Sequence, residues 1–202
     1  MRTIVKEEVI YSLDDVKNNP ELLKKVLEEN YHINVEYDDW WHSIYEKHAE
    51  ETKFNVDRRY FSGFSSQGDG AMFEYSGFNN ELEDLFIDSL DLSPMRKEWL
   101  RNNVSVYGKG KQSGLYYHER SCNHYISWEV DNGDMLHDSN LFKWIESFYN
   151  AFEEFIIEAY VEECCQLYSD LNKEYDYYVS EEAILETLEC NEYEFDEQGN
   201  II

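Results

Sequence analysis

From Ser139 to Val179 the chain contains neither glycine nor proline, and its apolar residues return at helical spacing: Leu141, Ile145, Phe148, Phe152, Phe155, Ile156, Ala159, Leu167 and Leu171. Positions three, four and seven apart share one face of an α-helix, so the spacing predicts a single long helix with an apolar stripe. Such a stripe must be covered by another layer of secondary structure. The remainder of the chain therefore has to supply that layer.

It does so with alternating short segments. Thr3 to Ile10 is β-branched and predicts a strand, followed by a helix whose start is marked by Ser12 with Asp15 three residues on, a variant of the capping box. Pro20 interrupts that helix, and its better-formed part is expected from Pro20 to Asn30. Asp38 to Tyr45 opens another helix, with Trp41, Ile44, Tyr45 and His48 at helical spacing. The period then changes to that of strands at Phe54–Asp57, Tyr60–Phe64 and Ala71–Tyr75, the last two separated by the polar turn Ser65-Ser66-Gln67-Gly68-Asp69-Gly70. Helices are expected at Asn79–Leu90 and Pro94–Leu100, then strands at Val104–Tyr107 and Leu115–Val130, divided by Gly108, Gly110 and Gly114. Ser180 caps a last helix to about Glu189, and Tyr193–Phe195 closes the chain as a short strand. The expected fold is α+β: one acidic domain over residues 1–202, an antiparallel sheet of roughly four to six strands packed by helices, with the long acidic C-terminal helix across it.

Charge bounds the partners. The 202 residues carry 44 acidic and 17 basic side chains, a net charge of −27, with no run rich in Lys or Arg. Phosphate recognition needs such cations to displace counterions, so direct binding of DNA or RNA is not expected, nor is binding to anionic membrane. An aromatic content of 16% separates the chain from disordered acidic tails. No apolar run approaches the roughly 18 residues of a membrane span, and Met1–Ile10 lacks the apolar core of a signal peptide. The expected location is the cytoplasm of a bacterial cell. The four cysteines, Cys122, Cys164, Cys165 and Cys190, read as free thiols.

More than half of the excess charge lies in the last third: residues 146–202 hold seventeen acids and one base, Lys173. Glu154, Glu158 and Glu162 stand at i, i+4 and i+8 of the long helix, about 5–6 Å from one to the next. Two readings fit this line. It is a solvated face that keeps an aromatic-rich protein in solution, or it imitates the phosphate spacing that a basic groove accepts.

The segment Ser65–Gly70 has the composition of a binding loop, but it lacks the lysine of a phosphate loop and lies between strands. Either Asp69 bonds its own backbone in a tight hairpin, or Gln67 and Asp69 meet a partner. Trp40 is a further contact candidate, as an exposed aromatic beside a core anchor. Strand alternation would place His118, Arg120, Cys122 and His124 on one face. A metal site there needs a third ligand such as Asp69 or Glu74, and no established metal or cysteine-nucleophile signature is present. No catalytic residue, metal or cofactor is assigned, and the chain is read as a non-enzyme; a metal- or cysteine-dependent enzyme built on His118, His124 or Cys122 is the third alternative.

Asn34–Glu46, the run Phe61-Ser62-Gly63-Phe64-Ser65-Ser66-Gln67-Gly68-Asp69-Gly70-Ala71, Tyr117-His118 and Glu189–Phe195 together resemble a group of phage and prophage proteins labelled antitoxins of a toxin–antitoxin stability system. The resemblance implies a phage or bacterial origin and a protein-binding role, and carries over no catalytic residues. Joined to the charge, it makes the leading expectation a phage-encoded inhibitor of anti-CRISPR type, bound to the basic nucleic-acid site of a defence effector. The alternative is an antitoxin that neutralises a basic toxin such as an RNase by direct contact. The expected partner is thus a protein with a basic surface, and a second copy of the chain is a further candidate.

Overall fold

The computed structural model describes residues 9–36, 39–131 and 139–202, with side chains of the last segment from Lys143 onward. Two compact units divide them, one of residues 44–170 and one joining residues up to 43 with 171–202. Each unit has an apolar cluster of its own, because the two ends of the chain return to pair with each other.

The sheet unit is built on strands β1 (Phe54–Phe61), β2 (Ala71–Phe78), β3 (Val104–Gln112) and β4 (Cys122–Val130), antiparallel and in the order β1-β2-β3-β4. Helices α4 (Asn80–Ser89) and α5 (Pro94–Asn103) interrupt the meander between β2 and β3. Asn79 starts α4 by accepting the Leu82 amide at 3.2 Å, and Pro94 opens α5, where a missing N–H costs nothing. The helix read from the spacing is α6 (Ser139–Tyr178), 40 residues long. Its Phe148, Phe152, Ile156, Tyr160 and Cys164 share one core with Phe73 and Tyr75 of β2 and Phe86 of α4. Leu141, expected on this stripe, has a side chain outside the described residues.

Burial differs along the sheet: Ala71, Met72 and Phe73 of β2 are buried in succession, so both faces are covered there, whereas β4 is buried on one face. Along β4, Cys122, His124, Ile126, Trp128 and Val130 turn inward, while Asn123, Tyr125, Ser127 and Glu129 are exposed, the alternation of a half-buried strand. Gly108 and Gly110 do not divide strands as expected. Both lie inside β3, because core rings press on the backbone there: a Cβ at Gly108 would stand 2.6 Å from the Phe78 ring, and one at Gly110 would run into the Tyr75 ring and come 2.8 Å from Cys122 Sγ. The ladder of β3 and β4 ends at Gln112 opposite Cys122, so Leu115–Ser121 is a connection and not the first half of a strand. His118 caps a 3-10 turn at Glu119–Ser121 within it.

In the terminal unit, α1 (Leu13–Lys17), α2 (Pro20–Glu29) and α7 (Glu181–Cys190) gather Val16, Leu22, Val26, Ile184, Leu188 and Phe195. The Ser12 capping box is present, with the Asp15 carboxylate accepting the Ser12 amide at 3.0 Å. Asn19 and Ser180 cap α2 and α7. The expected strand at Tyr193–Phe195 is reduced to single bridges from Phe195 to Tyr11 and to Ile201, and most of Thr3–Ile10 lies outside the described residues. Between α2 and β1, α3 (His42–Glu51) half-buries Ile44, Tyr45 and His48 as its spacing predicts; Asp38, the first residue of that expected helix, lies outside the described residues. No helix among the described residues is long and apolar enough to cross a membrane.

Candidate partner-binding surface

The long helix shows its charge where its apolar stripe is absent. Glu154, Glu158 and Glu162 are all exposed, and among the described residues no cation is paired with any of them. The other acids of α6 are treated differently. Glu163 accepts the Thr52 hydroxyl at 2.5 Å and the Lys53 amide at 3.4 Å, and burial holds its carboxyl above the usual range. Asp170 is 3.1 Å from the Lys47 ammonium. The line Glu154–Glu158–Glu162 is therefore a ridge of uncompensated carboxylates on a rigid element.

A second surface forms where two loops meet. Asp69 Oδ2 accepts the amides of Ser65 at 2.8 Å and Ser66 at 2.6 Å, which closes the hairpin between β1 and β2. The carboxylate expected either to shape the loop or to meet a partner is thus occupied in shaping it. Gln67 is exposed at the tip, and Gly68 beside it has φ +93°, a value that favours glycine. Against this hairpin lies the β3–β4 connection, with the Tyr117 carbonyl 3.2 Å from where a Gly70 Cβ would stand. Leu115 and Tyr116 of that connection are 91% and 65% exposed. Sequence alone does not single them out, because the segment has the composition of a strand, in which one or both would face a core.

Trp40 does not belong to either surface. It is 8% exposed, with its ring 5.7 Å from that of Tyr175, so it serves as core and not as a displayed aromatic. The ridge and the hairpin tip both lie in the sheet unit, on different elements.

The His118, Cys122 and His124 cluster is taken apart by the turn at Glu119–Ser121, which breaks the alternation. His118 Nδ1 accepts the Arg120 amide at 3.3 Å and lies 2.7 Å from Glu119 Oε2. His124 faces inward, its Nδ1 2.9 Å from the Tyr75 hydroxyl and its ring 4.7 Å from that of Tyr160. Burial lowers the His124 pKa and raises that of the Cys122 thiol, the opposite of what a thiolate nucleophile needs. Among the described residues no group of three His, Cys, Asp or Glu side chains is placed to hold a metal ion.

Residues 40–181 match the family described as a domain of unknown function, DUF8835. The chain belongs to this family. The DUF8835 region takes in the whole sheet unit from α3 to the end of α6, and with it Gln67, Asp69 and all three ridge carboxylates. No curated protein and no solved structure matches the chain.

Proposed function

We propose that this DUF8835 protein is a non-enzymatic, phage-encoded inhibitor that binds the basic, nucleic-acid-handling surface of a bacterial defence effector, with a CRISPR effector as the partner class. The observation that carries this reading is the ridge of Glu154, Glu158 and Glu162, exposed and, among the described residues, unpaired, on a helix whose other face is packed in the core. A groove built for phosphates offers Lys and Arg at intervals along its length, and carboxylates carried at regular spacing on a formed helix meet them with no backbone left to order. The net charge of −27 steers the encounter and raises the association rate. Gln67 with Leu115 and Tyr116 supplies contacts that discriminate among basic partners, since charge alone attracts them all.

The test is affinity capture from a bacterial lysate at low and at high salt, using the wild-type chain and a variant carrying Glu154→Lys, Glu158→Lys and Glu162→Lys. A nucleic-acid-binding effector retained by the wild type, released by salt and lost by the folded variant supports the reading. Equal retention by the two proteins sinks it. Capture of a small basic RNase would instead make the chain an antitoxin acting through the same ridge.

A further inference from the structure

Between α4 and α6 the sheet unit carries a groove of about 460 Å³ with two kinds of lining. Leu82, Leu85, Phe155 and Ala159 are apolar, and Glu158 and Glu162 stand beside them. The apolar part is left open: Leu85 is 48% exposed, although Leu82 and Phe86 on the same helix are buried at 2% and 5%. Lys53 and Glu163 line the same groove, and among the described residues no ion pair joins Lys53 to Glu158 or Glu162, so three carboxylates there face one cation.

We infer that this groove docks a cationic amphipathic helix of the partner, one that lays apolar side chains on Leu85 and Phe155 while Lys or Arg residues along its flank reach Glu158 and Glu162. The inference rests on the proposed reading of the ridge and narrows it to one kind of partner element. Two requirements select the occupant. A purely polar cation would leave the exposed leucine without a contact, and a purely apolar segment would draw water away from two carboxylates with nothing to pair them. Only a segment with both characters satisfies the lining, which is the pattern of helix-in-groove recognition. The spacing agrees, because cations at i and i+4 of a helix are about 5–6 Å apart, as are carboxylates at i and i+4 of α6. A nucleic acid strand has the wrong sign for this wall.

Three fluorescein-labelled peptides of equal length test the inference by anisotropy with the full chain at near-physiological salt. The first is an amphipathic helix of Lys and Leu, the second replaces each Leu by Gln at the same charge, and the third replaces each Lys by Gln. The Lys/Leu peptide is expected to bind at least tenfold tighter than either control. Leu85→Gln should close that gap and Leu85→Met should keep it; Leu85 is half exposed, so both variants are expected to fold, as near-ultraviolet circular dichroism will show. Equal binding of the Lys/Leu and Lys/Gln peptides, weakened alike by Glu158→Gln with Glu162→Gln, would overturn the groove and leave the ridge reading standing. No binding by any cationic peptide would overturn both.

Discussion

Arg59 donates its Nε proton to Nδ1 of His48 across 2.9 Å, which leaves the imidazole proton on Nε2, a buried atom with no hydrogen-bond partner among the described residues. Desolvation, and behind it the Arg59 charge, pull the His48 pKa from 6.5 down to about 4. Glu163 Oε2 stands 3.8 Å from Nε2, too far to bond it.

A histidine held below its unfolded pKa makes the native state lose stability as pH falls, because the unfolded chain takes up the proton first. The contribution is complete above about 6.5 and lost as pH drops toward 4, with a size on the order of 2 kcal/mol once partial solvent access is allowed for. Glu163 acts in the opposite sense, since its raised pKa favours the folded state at low pH. His48→Gln keeps an acceptor for Arg59 and removes the titration. Urea midpoints at pH 7 and pH 5 are therefore expected to fall further for the wild type than for the variant.

Gly110→Ala tests the close approach of core rings to β3. The added methyl meets Tyr75 and Cys122, and neither has room to retreat in a fully buried cluster. Overpacking of this kind costs about 2 kcal/mol, equivalent to a fall in Tm of roughly 4–8 °C for a chain of this size. Calorimetry of the purified variant checks it, and an unchanged Tm would show that the strand can shift.

Neutralising the ridge is expected to leave the fold intact. Like charges four residues apart oppose a helix by about 0.2–0.5 kcal/mol per pair. Changing Glu154, Glu158 and Glu162 together to Gln should hold or slightly raise Tm at low salt, and the difference should shrink as salt is added. A marked fall in Tm would mean that these side chains have structural partners.

Asp69→Ala removes the acceptor of the Ser65 and Ser66 amides. Hydrogen exchange at those two amides is expected to accelerate by about tenfold or more, in line with a lost charged acceptor, while amides of β3 and β4 far from the tip keep their protection. Asp69→Asn, which retains one oxygen, should fall between the two.

Much of this architecture can be read from residue order. Ser12, Asn79 and Ser180 mark helix starts because the cap is a local contact, and the Phe148–Phe152–Ile156 stripe marks α6 because its period is unbroken. What eluded the sequence depends on residues far apart in it. Gly108 and Gly110 have the composition of a turn until Phe78 and Tyr75 are seen against them. His118 and His124 share a strand face only if no turn intervenes. The ridge of Glu154, Glu158 and Glu162 follows from spacing alone, whereas the groove beside it needs α4, some seventy residues earlier in the chain.

The carboxylates of the ridge repel one another, and no lysine stands three or four residues from any of them. Their spacing is enforced from beneath, by Phe152, Ile156 and Tyr160 pressed into the core. Cut free from that core, the same peptide would have little reason to stay helical and its charges would scatter. On the proposed reading, recognition by the ridge is all-or-none with respect to folding: warming or denaturant should abolish binding along the same sigmoid that reports loss of the native state, with no graded weakening beforehand.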